Sequence, residues 1–225
     1  MSKDLSLFLL SIRGTLASPT LEAARKLHNS TAGAPANITA AQSLGDVSHM
    51  VHVPLEAPQK GAGEFLILDI WNSLEGLNNF FANPTVQEQA GQIFTRRDPV
   101  VWTPAEGFVS YHIPAPSGKN ERFVTTARAK VKSVEEARKL HNSAVANTLN
   151  KARKAGNLSH ESYFRMAAPG SPEALEWFGV DVWMRPDDMM SYYEDADFLA
   201  GFNEMFTDEA ITAVWVHPKG DWVEW

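Results

Sequence analysis

The apolar and polar positions of this chain run through one order twice. Residues 5–13 form a compact apolar run suited to a buried strand, and Phe123 to Val131 alternates as a half-buried strand does. Helical spacing follows each. Ser133-Val134-Glu135-Glu136 is a capping box, with a serine hydroxyl for the Glu136 amide and a carboxylate reaching back, and it predicts a helix running to Gly156. Thr20 takes the cap position in the first copy, where Gly33-Ala34-Pro35 must interrupt the helix because proline cannot donate and clashes with the preceding turn.

The later elements keep step. Strands are predicted over Val47 to Val53 and Leu158 to Met166, then turns around Pro58 to Gly63 and Pro169 to Pro172, then strands Phe65 to Trp71 and Trp177 to Trp183. Helical segments follow at Leu74 to Ala82 and Pro186 to Glu194, with a further segment in each copy ending near Phe94 and Phe206. Val101-Trp102 and Val214-Trp215 open a last strand that resumes at Phe108-Val109 and Trp222-Val223. One heptapeptide, Ala-Arg-Lys-Leu-His-Asn-Ser, begins at both Ala24 and Ala137, an offset of 113 in 225 residues. The chain is an internal duplication. Its first repeat is expected over 1–113 and its second over 122–225, joined by a Pro/Ser/Gly-containing linker at 114–121.

Each repeat reads β-α-β-β-α-β, a ferredoxin-like unit of the α+β class with one antiparallel sheet. One such sheet leaves a face bare, so two repeats are expected to pack their sheets face to face as a pseudo-dimeric α+β barrel. A composition of 44% hydrophobic and 10% aromatic residues supports a sizeable core. A formal charge of -7 argues against nucleic acid or an anionic membrane as partner. With no cysteine there is neither a disulfide nor a thiolate metal site, and the apolar run before Arg13 is too short for a membrane span or signal sequence. A cytoplasmic protein is expected, either a monomer with pseudo-twofold symmetry or a homodimer.

Candidate chemistry comes from polar residues that recur. A first hairpin centred near residue 59 places His49 opposite Asp69, and one centred at 170–171 places His160 opposite Asp181. These four are the candidate catalytic residues, histidine as base and aspartate orienting it. Trp71 and Trp183, two positions along, share that face and are candidates for stacking on a ligand. His28 and His141 lie on or beside the apolar stripe of the first helix, with Asn29 and Asn142 expected to face another direction; all four are candidate ligand-binding residues. His49 and His52 fall on opposite strand faces, and no metal site is expected. Phe80, Phe81, Tyr192 and Tyr193 read as core, and the tryptophan-rich Trp222 to Trp225 is expected to pack on the barrel or a partner.

The long hairpins, extended first helix and duplicated order resemble the antibiotic-biosynthesis-monooxygenase-like and stress-responsive A/B-barrel families of dimeric α+β barrels. That resemblance implies a small-molecule ligand, and it spans cofactor-free oxygenases, isomerases, haem-degrading enzymes and proteins without an assigned role. The expectation is therefore a cofactor-independent oxygenase or isomerase acting on a small aromatic or polyketide-like molecule. The alternatives are a haem binder or haem-degrading enzyme, and a non-catalytic ligand-binding or assembly protein. The haem-degrading branch takes its ligand histidine from the second helix, and neither Leu74 to Phe94 nor Pro186 to Phe206 contains one.

Overall fold

A computed structural model of the chain describes residues 7–56, 58, 61–112 and 121–225. The linker expected at 114–121 lies outside the described residues apart from Glu121, as do residues 57, 59 and 60 of the first hairpin turn. The first repeat runs β1 (Phe8–Leu16), α1 (Leu21–Ser30), α2 (Pro35–Ser43), β2 (Asp46–Pro54), β3 (Glu64–Trp71), α3 (Leu74–Ala82), α4 (Pro84–Ile93) and β4 (Phe94–Pro104). After the short β5 (Tyr111–His112), the second runs β6 (Phe123–Lys130), α5 (Val134–Lys154), β7 (Asn157–Arg165), β8 (Glu176–Trp183), α6 (Pro186–Tyr193), α7 (Ala196–Asn203) and β9 (Ile211–Val216). The break at Gly33-Ala34-Pro35 divides α1 from α2, whereas α5 is one helix of 21 residues. Both expected caps form, Thr20 accepting from the Ala23 amide and Ser133 from the Glu136 amide.

Two compact units result, one reaching to Trp102 and including His217–Trp225, the other Thr103–Val216. In the first the strand order is β4-β1-β3-β2, all antiparallel; the helices pack on the face carrying Leu10, Ile12, Ile67 and Trp71. In the second the order is β9-β6-β8-β7-β5, also antiparallel. Two expectations need correction. The strand does not resume at Phe108-Val109 or Trp222-Val223; those residues are in loops, whose Val109 and Val223 amides bond to Asn142 and Asn29 instead of to a strand. The last helix stops at Asn203, and Phe206 makes a single antiparallel bridge to Val131 instead.

The unit boundaries carry a consequence for the two tails. The segment that follows β4 packs within the second unit, and the segment that follows β9 packs within the first. Each unit is thus completed by the tail of the other repeat. No described helix is long and apolar enough to cross a membrane.

Candidate functional site

The hairpin registers are those the sequence predicts, His49 opposite Asp69 and His160 opposite Asp181. His49 Nδ1 lies 2.8 Å from Asp69 Oδ1, and His160 Nδ1 lies 2.5 Å from Asp181 Oδ1. The helix histidines close on these pairs. His28 Nε2 is 3.0 Å from His49 Nε2 with the rings stacked, and His141 Nε2 is 2.7 Å from His160 Nε2 in the same arrangement. His28 and His141 are fully buried, and the strand histidines nearly so.

Asn29 and Asn142 do not face away, as their sequence positions suggested. Asn29 Oδ1 lies 3.1 Å from His28 Nδ1 while also accepting from the Val223 amide, and its Nδ2 donates to the Asp221 carbonyl. Asn142 repeats the pattern, with Oδ1 3.0 Å from His141 Nδ1 and accepting from the Val109 amide, and Nδ2 donating to the Gly107 carbonyl. The difference has a physical cause: a helical neighbour is angled away at its Cβ, but a short amide side chain turned by tail backbone can fold back over the adjacent ring. The motif arginines complete the clamp. A Cβ on Gly220 (φ 100°) or Gly107 (φ 78°) would sit 3.0 Å from the side chain of Arg25 or Arg138, so each guanidinium stem lies against a glycine in a left-handed conformation. Three letters of the repeated heptapeptide, Arg, His and Asn, therefore read the tail.

The tail also fixes the protons. Its backbone determines the orientation of the Asn29 amide, so Oδ1 is the atom facing His28 and His28 Nδ1 must carry the hydrogen. A carboxylate at Asp69 likewise requires a hydrogen on His49 Nδ1. One further proton lies between the two Nε2 atoms, so the pair holds one positive charge beside one carboxylate. Burial, and then the positive neighbour His49, lowers His28 to about 4. Burial also opposes charge on His49, but the Asp69 carboxylate outweighs it and raises His49 above the ordinary histidine value. The charge therefore resides on His49. His141 is lowered to about 4 by burial and by His160.

The two repeats differ in what adjoins this relay. In the second unit the Tyr193 hydroxyl donates to Asp181 Oδ2 and sits 2.7 Å from Thr125 Oγ1, while the Tyr192 hydroxyl sits 2.8 Å from Thr148 Oγ1. Tyr192, Tyr193, Phe198 and Phe202 form a contiguous ring stack, leaving about 10 Å³, the room of one water. In the first unit Phe80 and Phe81 stand in the tyrosine positions and Leu10 faces Asp69 where Thr125 faces Asp181. Among the described residues no hydroxyl caps the carboxylate, and a cavity of about 300 Å³ opens beside it. Asp46, His49, Asp69, Trp71 and Trp225 line this cavity. Trp71 packs on Phe80 and Phe81 as Trp183 packs on Tyr192 and Tyr193, and Trp183 borders only the small space of the second unit.

Asp46 and Trp225 are not among the residues the sequence pointed to. Asp46 is three positions from His49 and by simple alternation would face the other way. A register shift between Asp46 and Ser48 turns it onto the cavity face, opposite Trp71. The available signal was the Gly-Asp against Gly-Asn mismatch at Asp46 and Asn157, which marks the one titratable difference between the two hairpin entries. Asp46 is raised to about 7, first by burial and then by Asp69, with His49 and the nearby Trp225 indole partly offsetting. The Trp225 ring stacks on His49 at 4.4 Å between centroids, and its backbone exchanges hydrogen bonds with that of His49.

No protein-family model matches the chain, and no curated protein does. Solved structures do. A candidate monooxygenase from Fusobacterium nucleatum is similar over 99% of this chain and 98% of its own, with a TM-score of 0.62 and 12% identity. An anthrone oxidase-like protein is similar over 96% and 93%, with a TM-score of 0.65 and 15% identity. A chlorite dismutase variant from Candidatus Nitrospira defluvii follows over 93% and 92%, with a TM-score of 0.58 and 9% identity. The fold is that of the dimeric α+β barrels. At these identities the likeness concerns fold alone.

Haem, which the resemblance implies for part of this group, does not suit the residues present. Haem iron is held by a histidine ring nitrogen with a free lone pair, or by a Cys, Met or Tyr side chain, and none of the last three lines the cavity among the described residues. Among the described cavity-lining side chains only His49 is an imidazole, and both of its nitrogens are engaged. The donor set does not fit an axially ligated haem.

Proposed function

We propose that the first unit is a cofactor-independent enzyme of the oxygenase or isomerase type, which removes a proton from a small aromatic molecule held in the cavity. The observation that carries this reading is the pairing of an open cavity of about 300 Å³ with Asp46, His49 and Asp69 in one unit, against about 10 Å³ in the other. A carboxyl titrating near neutrality is well matched to a general base, since it is both largely available and strong enough to accept a proton. Asp46 takes that role. His49, with both nitrogens engaged, orients Asp69 and supplies a fixed positive charge beside the anion that deprotonation creates. His28 and Asn29 hold that charge in place.

The fate of the anion depends on the substrate. An isomerase returns the proton at another carbon. An oxygenase passes the electrons to dioxygen, and a methylene becomes a carbonyl with one oxygen atom while the other leaves as water. Similarity to an anthrone oxidase-like protein supports starting from such a methylene. In the closed unit Asn157 replaces Asp46 and Tyr193 covers Asp181, so His160, Asp181, His141 and Asn142 serve the fold there.

The test is solvent deuterium entering C10 of anthrone, or the activated position of related hydroxyaromatics, without oxygen, followed by oxygen uptake in air. Exchange should fall by about 100-fold or more in Asp46→Asn, the usual scale for losing a general base. Asp181→Asn should leave it within about twofold. Exchange that persists in Asp46→Asn, or that needs Asp181, would contradict the assignment. Saturable binding without any exchange would support the non-catalytic ligand-binding reading.

A further inference from the structure

The cavity carries a record of what it binds in its unpaired polar atoms. Among the described residues eight buried side-chain atoms lack a hydrogen-bond partner, and four belong to residues lining this one cavity: Asp46 Oδ1, Trp71 Nε1, Trp225 Nε1 and Arg97 Nη1. Buried polar atoms are nearly always paired, so a cluster of unpaired ones marks where a partner belongs. Asp46 is itself 6% exposed. One of the four accepts and three donate, and one donor is always charged.

Their placement gives the partner a shape. Arg97 is opposite Gly14, which is opposite Phe65, while Asp46 is opposite Trp71. Arg97 therefore approaches from one end of the strands, and the Asp46, Trp71 and Trp225 group from the other. Apolar side chains, Leu10, Ile12, Ile67, Leu77, Phe80 and Phe81 among them, make up much of the remaining lining, with Asn37, His49, Asp69, Gln87 and Gln89 as its other polar members. Arg97 Nη2 is already held by Gln87 Oε1, which leaves Nη1 as the free donor of a positioned guanidinium.

We propose that the ligand is an elongated aromatic acid, with an anionic carboxylate paired to Arg97 and a hydroxyl or enol oxygen at its far end between Asp46 and the indole N–H groups of Trp71 and Trp225. This rests on the catalytic reading for the site and names the substrate class it takes. The hydroxyl donates a hydrogen bond to Asp46, and the indoles donate to its oxygen.

Calorimetry with 6-hydroxy-2-naphthoate, its methyl ester and 2-naphthoate separates the two ends, since the ester lacks the charge and the last lacks the hydroxyl. The full probe should bind at one site, with the ester and 2-naphthoate each weaker by about tenfold or more, the scale of one charge-assisted hydrogen bond. Arg97→Met should abolish only the preference for acid over ester. Asp46→Asn, the residue tolerated at position 157, should abolish only the preference for the hydroxyl. Equal binding of acid and ester by the unaltered protein, or no saturable binding, overturns the proposal whether or not the variants fold, and the latter would assign the polar atoms to water. The readout requires no turnover. Charge-dependent binding without deuterium exchange would reject the catalytic reading alone, and exchange of neutral substrates without charge preference would reject the aromatic acid alone.

Discussion

His28 Nε2 stands 3.0 Å from His49 Nε2, and that contact links a helix, a sheet and a tail from the far end of the chain. The pair carries one proton between the two facing nitrogens because Asn29 fixes one end of the relay and Asp69 the other. Each member of the relay therefore has a predictable response to being changed.

Replacing Asn29 by alanine removes two hydrogen bonds to the tail and leaves the His28 Nδ1 hydrogen buried without an acceptor. An unpaired buried donor costs about 1–3 kcal/mol, and with the lost tail bonds the stability of Asn29→Ala should fall by roughly 2–4 kcal/mol. Asn142→Ala should lose a similar amount from the second unit. Urea unfolding measures both, and a loss below about 0.5 kcal/mol in either would mean the clamp contributes nothing.

Acid should destabilise the protein well above the carboxylate range. His28, His52 and His141 are each lowered to about 4 by burial, so they are neutral in the folded chain while the unfolded chain takes up protons near 6.5. Their contribution is fully present above 6.5 and is lost as pH falls toward 4. Asp46, raised to about 7, has the opposite sign: its contribution is present below the unfolded value and lost as pH rises through 7. Three imidazoles outweigh the two raised carboxyls, Asp46 and Glu161, so stability should rise with pH between about 4 and 6.5. Denaturant midpoints across that interval provide the check, and a flat profile would contradict the neutral state of the helix histidines.

Phe81→Tyr should convert the open unit toward the closed one. The added hydroxyl takes the place Tyr193 occupies against Asp181, reaching toward Asp69 and occupying cavity space. Naphthoate binding should weaken by about tenfold because the hydroxyl takes up ligand space, while the melting temperature holds or rises. Unchanged affinity would show that the ligand sits elsewhere.

Gly76→Ala should be among the most damaging single-methyl changes. Its Cβ would fall 1.6 Å from the Leu44 carbonyl oxygen, so α3 must move away from the end of α2. Overpacking of this kind costs about 1–3 kcal/mol or more. A thermal melt within error of the unaltered protein would refute the close approach.

Much of this was legible in the chain. The opposition of His49 and Asp69 follows from period-two alternation about a turn, which leaves little freedom of register once one face is buried. The break at Pro35 was equally plain, because its cause is local. What escaped was non-local. No spacing rule brings His28 onto His49, since helix-on-sheet placement depends on the packing of the whole layer. Asn29 was misread because its partners at Asp221 and Val223 are more than 190 positions away. Asp46 was hidden by a single irregularity in the ladder, which reverses the face that alternation assigns.

The exchanged tails set a rule for how such a chain can be divided. A cut in the middle does not release two autonomous repeats, because the fragment bearing His28 and His49 would lack Trp222 and Trp225, and the one bearing His141 and His160 would lack Phe108 and Tyr111. Those fragments would have to find each other to recover either histidine pair. The duplication is thereby locked: whichever repeat drifts from its original chemistry must still lend its tail to the other.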